Sequence, residues 1–136
     1  MTAENTSKSL RASMYLAFVA AILAPGLETI RRWHQMADLH YFLDWIDDYF
    51  VGGLLFFAAW KVLKSHHNAQ GILIAVWGFS TGMMMGSFWS QMKFISINGI
   101  DPAPVSSASV AVIKGMALFY CVVSLFLAVR KRKNQL

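Results

Sequence analysis

Charge is what this chain has least of. Only 14% of its 136 residues are charged, against about 25% in an average soluble domain, and 57% are hydrophobic. Acids are the scarcer sign, seven against 12 basic residues, for a net charge of +5. This balance argues against an ordinary soluble domain. The basic residues flank apolar runs instead of forming one surface, which argues against nucleic-acid binding. Cysteine is nearly missing too. Cys121 stands alone, so an intrachain disulfide, a cysteine-based zinc cluster and a dithiol mechanism within one chain are excluded, and it reads as a small apolar residue inside a helix. No nucleophile–base pair, phosphate-binding glycine loop or zinc signature is visible. Nor is there a repeat, a low-complexity segment or a second domain.

What is present is four apolar stretches. The first runs uncharged from Ala12 to Leu27 and extends through Glu28 to Ile30. The second, Trp45 to Leu63, has an uncharged centre from Tyr49 to Trp60, flanked by Asp47, Asp48 and Lys61. The third, Asn68 to Met92, carries no charge. The fourth, Val110 to Val129, is interrupted only by Lys114. A membrane span needs about 20 mostly apolar residues, which makes the third stretch the clearest and the second the weakest. The expectation is spans over 11–30, 45–63, 69–91 and 108–129.

The charges support counting four. With the N-terminus inside, the inner segments hold Lys8, Arg11, Lys61, Lys64, Arg130, Lys131, Arg132 and Lys133, whereas the outer side holds Arg31, Arg32, Lys93 and Lys114. This follows the positive-inside rule. Six acids, Glu28, Asp38, Asp44, Asp47, Asp48 and Asp101, then fall outside, leaving Glu4 inside. A three-span arrangement puts Lys61 and Lys64 among those acids and blurs the separation. Both termini are therefore expected in the cytoplasm, with a bacterial inner membrane as the location. A rival stays open: Lys8 and Arg11 before an apolar run also suit a secretory signal peptide, with a poor cleavage site near Ala24 directly before Pro25. Its removal leaves the orientation of the other three helices unchanged.

The connection over 31–44 is not featureless. Trp33, Met36, Ala37, His40 and Leu43 recur at spacings of three or four, which predicts a short helix lying at the outer interface. Trp33, Tyr41, Trp45, Tyr49 and Trp89 form an expected aromatic belt at that level. Asn98-Gly99, Pro102 and Pro104 signal a turn between spans three and four. The short Lys64–Asn68 link makes spans two and three an antiparallel hairpin. The expected fold is thus an all-α integral membrane protein, one domain over 1–136: a four-transmembrane-helix antiparallel bundle with a short outer interfacial helix, in which the third helix is central.

Three constellations carry the functional reading. Gly78, Gly82 and Gly86 lie four residues apart on the third span, continued by Ser90, so they share one face on which another backbone can approach closely. This serves helix packing, either within the bundle, with Gly52 and Gly53 as a partner face, or between copies of the chain. Next, His34 with Asp38, and His40 with Asp44 and Asp48, stand at helical spacing. Such a set suits metal binding or proton relay, while its plainer role is acids at the positive start of the second helix and histidines among headgroups. Finally, Lys114 lies about one turn inside the fourth span. Asp47, Asp48 or Glu28 at the same level is its candidate ion-pair or protonation partner, with snorkelling along its own stem as the alternative. His66, His67 and the Met83–Met85 run read as ordinary surface and packing residues, and no cofactor is expected.

These features order three functions. First comes a non-enzymatic binding, scaffold or complex-subunit module, a homo-oligomer or a subunit beside another membrane protein, whose basic tail from Arg130 to Lys133 meets anionic lipid. Second is a small transporter or proton-coupled carrier built on Lys114 and the outer carboxylates. Third is an intramembrane enzyme acting on a lipid-like substrate with the His and Asp set as acid–base groups.

Overall fold

The computed structural model describes residues 8–98 and 105–130, the side chain of Asp44 excepted. Among them there is no strand. Four long helices, α1 (Lys8–Arg32), α2 (Phe42–Leu63), α3 (Ala69–Ser96) and α4 (Ser107–Val129), follow in order, with 3-10 turns at Trp33–Gln35 and Leu39–Tyr41 between α1 and α2. The helices contain the expected spans and overrun them by a few residues at several ends. Gly99, Pro102 and Pro104 of the expected turn lie outside the described residues. Asn98 before them has the left-handed φ of 53° that ends α3.

Three helical segments, Lys8–Gln35, Ala69–Ser96 and Ser107–Val129, are long and apolar enough to cross a membrane. The 22 residues of α2 make a helix of about 33 Å, against a hydrocarbon core of about 30 Å, so length does not set it apart. Charge does: every 18-residue window of α2 holds at least three of Asp44, Asp47, Asp48 and Lys61.

The segment after α1 departs from expectation. Instead of one interfacial helix it forms two separate single turns. Asp38 between them is extended (φ −100°, ψ 116°), and its carboxylate accepts from the His40 backbone N–H as a cap. A short acid that satisfies a nearby backbone donor competes with continuation of a helix. Upstream, α1 runs on to Arg32 because Glu28 pairs with Arg31 and Arg32 one turn later.

Each helix packs on its chain neighbours and the ring closes between α4 and α1. The closest pairs are α1 with α2 and α3 with α4, and the two other seams are lighter. α3 is therefore one corner of a square and not its centre. Neighbours run antiparallel: Thr29 near the end of α1 meets Tyr49 near the start of α2, and Ser13 at the start of α1 meets Ser124 near the end of α4. The α2–α3 link is the expected tight hairpin, closed by His66 N–H on the Lys61 carbonyl (3.1 Å) and turned through left-handed Ser65 and Asn68. Asparagine tolerates that region better than most residues.

Small side chains let the helices approach, but they are not those of the glycine row. Ser13, Ala17, Ala58, Ala59, Ser124 and Ala128 are fully buried, around Leu55, Leu73 and Trp77. Gly52 marks a close approach of α2 to α1. A Cβ there would stand 3.0 Å from the Ala21 carbonyl oxygen and 3.2 Å from Pro25 Cδ. Pro25 lacks the N–H that would have bonded the carbonyl four residues earlier, which is Ala21, and α2 packs its glycine against that carbonyl. Gly53, its neighbour, is exposed with nothing close.

Candidate functional site

The antiparallel ring sorts the charges by end. One end carries Lys8, Arg11, Lys61, Lys64 and Arg130, with no acid among the described residues. At the other end α1, α2 and α4 bring in Glu28, Arg31, Arg32, Asp47, Asp48 and Lys114, the candidate cluster.

Its base is Glu28, only 7% exposed. Its carboxylate is held by Arg31 at 3.4 Å and by the Nε of Arg32, and Arg32 also donates to Gln35 Oε1 at 3.2 Å. An acid near a helix C-terminus opposes the helix dipole, so the two guanidiniums supply the compensation that the backbone does not. Beside it, Thr29 Oγ1 donates to the Pro25 carbonyl at 2.7 Å and also hydrogen-bonds the hydroxyl of Tyr49, tying α1 to α2. Asp48, half-buried on α2, lies within electrostatic reach of Glu28 and Arg31 on α1, Asp47 on its own helix and Lys114 on α4. Asp47 is more exposed, and its Oδ1 accepts from the Asp48 backbone N–H at 2.9 Å.

Lys114 turns inward and does not simply run along its helix to the end. Its Nζ donates to Gln91 Oε1 at 3.2 Å, and Gln91 Nε2 donates to the Ser107 carbonyl at 3.3 Å. Gln91 is 4% exposed and had no place in the sequence reading. A strongly polar amide in an otherwise apolar run was the available signal, because such a group at depth needs a partner. All four helices therefore contribute polar groups to this end: α1 the Glu–Arg group, α2 the aspartates, α3 Gln91 and α4 the lysine.

The histidine set is not assembled on one helix face. His34 and His40 sit exposed in separate 3-10 turns, with the extended Asp38 between them serving as a backbone cap. Among the described residues no three of His, Cys, Asp and Glu group as a metal would need. The expected aromatic belt does gather at this end. Trp33, Tyr41, Tyr49 and Trp89 are exposed, and Trp45 packs edge-on between Phe42 and Tyr49.

The glycine row lies elsewhere, along the outward face of α3. Gly78, Gly82, Gly86 and Ser90 are all exposed, as are Gly71 and Ala75 before them. A Cβ built at Gly71, Gly78, Gly82 or Gly86 meets nothing within 4 Å. Among the described residues, the face thus spends none of its smallness on packing within the chain. From Gly71 to Ser90 it extends about 28 Å along the helix.

Compared with protein-family models, with characterised proteins and with solved structures, the chain gives no match.

Proposed function

We propose that this protein is a small multi-pass membrane module that acts by associating with another membrane-embedded helix, as a homo-oligomer or as a subunit of a larger complex, without chemistry of its own. In this reading all four helices cross the bilayer. The basic end and both termini lie in the cytoplasm, the Glu28–Lys114 end lies outside, and a bacterial inner membrane is the setting. The turns over 33–41 rest at the outer interface with Trp33 and Leu39 toward lipid.

The observation that carries the proposal is the unused glycine face of α3. In lipid, apolar side chains gain little by leaving lipid for each other, so helices associate through close backbone contact and small residues. A row of glycines costs helix stability of about 1 kcal/mol each relative to alanine. Among the described residues that cost has no return in packing, and an external helix supplies one. The test is Gly82→Leu in the full chain, read by crosslinking in native membranes and by mass after gentle extraction. The expected result is loss of the higher-mass species with helix content unchanged, because the site is open in the monomer. An unaltered complex refutes the reading.

A second reading is favoured by the gathering of charge from three helices around Asp48 and Lys114: a proton-coupled carrier whose switch is that pair. Lys114→Leu should then abolish flux in reconstituted vesicles while insertion is retained. Flux equal to that of the unmodified chain excludes it.

A further inference from the structure

The seam between α1 and α4 does not close completely. It opens into a groove of about 580 Å³, lined mainly by Leu16, Val112, Met116, Phe119, Tyr120 and Val123. The groove is open along its length, with Val112, Met116 and Phe119 exposed. The only polar side-chain atom in the lining is the Tyr120 hydroxyl, and it already donates to the Leu16 carbonyl at 2.7 Å. The groove therefore suits hydrocarbon and gives a polar head no place within it.

Position on α4 says where a head would go. Val112, Met116, Phe119 and Val123 follow one another at helical spacing, and the groove between the first and last is about 16 Å long. One heptad beyond Val123, about 10 Å further along the same row, stands the exposed Arg130, at the end of the bundle where every described charge is positive. At the opposite end the charges are of both signs, Glu28, Asp47 and Asp48 together with Arg31, Arg32 and Lys114. This asymmetry orients an amphiphile with its anionic head at the basic end.

We propose that the α1–α4 groove holds an acyl chain of an anionic phospholipid whose phosphate lies beside Arg130. The site is separate from the α3 glycine face and does not rest on association there.

The experiment uses the full-length protein in detergent, titrated with phosphatidylglycerol or phosphatidylcholine of matched chains and read by native mass spectrometry. The unmodified protein should retain one phosphatidylglycerol in preference to phosphatidylcholine. Val123→Trp and, separately, Met116→Trp fill the groove from exposed positions, 37% and 67% accessible, and both should lose the one-lipid species. Arg130→Gln should remove the preference between headgroups. Phe57→Trp, exposed on α2 away from the α1–α4 groove, should behave as the unmodified protein. Equal retention of the two lipids by the unmodified protein overturns the proposal. So does undiminished binding in both groove-filling variants, including the case in which Arg130→Gln alone abolishes it, which assigns binding to the basic end and not to the groove.

Discussion

Two alanine substitutions of the same chemistry should have opposite effects. At Gly82 a Cβ meets nothing within 4 Å, so alanine keeps the fold and gains about 1 kcal/mol of helix propensity. At Gly52 the same methyl arrives 3.0 Å from the Ala21 carbonyl oxygen and 3.2 Å from Pro25 Cδ. Ordinary contact begins near 3.4 Å, so α1 and α2 must part by a few tenths of an ångström. The groups to be displaced are a backbone carbonyl and a proline ring, neither of which can rotate away. Overpacking of this kind costs about 1–3 kcal/mol, offset by the same propensity gain of about 1 kcal/mol. Because the propensity term is common to both sites, the difference between the variants isolates the packing term, and Gly52→Ala should be the less stable by about 1–3 kcal/mol. Equilibrium unfolding in mixed detergent, at a protein concentration where the chain is monomeric, measures it. Equal stability of the two variants would falsify the claim that α2 closes on the Ala21 carbonyl.

Other outcomes follow from the polar contacts. Glu28→Gln leaves Arg31 and Arg32 without their carboxylate in a nearly buried position. It should destabilise by about 1–3 kcal/mol, the cost of an unsatisfied buried polar group, and a midpoint equal to that of the unmodified chain would remove the triad from the account. Ser13→Ala removes the buried 2.8 Å bond to the Ser124 carbonyl that joins α1 to α4. The loss should be near 0.6 kcal/mol, roughly the mean for interhelical hydrogen bonds in membranes, and a stability loss above about 2 kcal/mol would show that the serine fills space as well. Gln91→Leu removes the Gln91 Oε1 acceptor of Lys114 and should raise amine-directed labelling of the lysine; unchanged labelling would mean that Gln91 does not hold it.

The one-dimensional pattern was enough for the helices and for the sorting of charge. Uncharged runs of about 20 residues admit little but helix where lipid surrounds them, because the backbone must satisfy its own hydrogen bonds. Short polar links then alternate the ends, which puts the basic clusters together and the acids opposite them. The weakness of α2 as a span was legible as well, since Asp44, Asp47, Asp48 and Lys61 are simply there to be counted. The interfacial helix was not legible: the three-and-four spacing from Trp33 to Leu43 was real, but Asp38 took a backbone N–H for its own side chain, and spacing does not report that competition.

Tertiary structure alone decided which small residues do the packing. Spacing puts Gly78, Gly82 and Gly86 on one face, but a face can turn inward or outward, and in lipid the hydrophobic pattern that would choose between them is absent. The choice came from Gly52 against the carbonyl freed by Pro25, and from Ser13, Ala17, Ser124 and Ala128 in the core. The partner of Lys114 was decided in the same way. Several acids stood at its level in the sequence; the rotation of α3 brought the Gln91 amide to it as well, beside Asp48 within electrostatic reach. Depth along a helix follows from residue number, whereas direction around it depends on how four surfaces fit together, and that exists only once the bundle is packed.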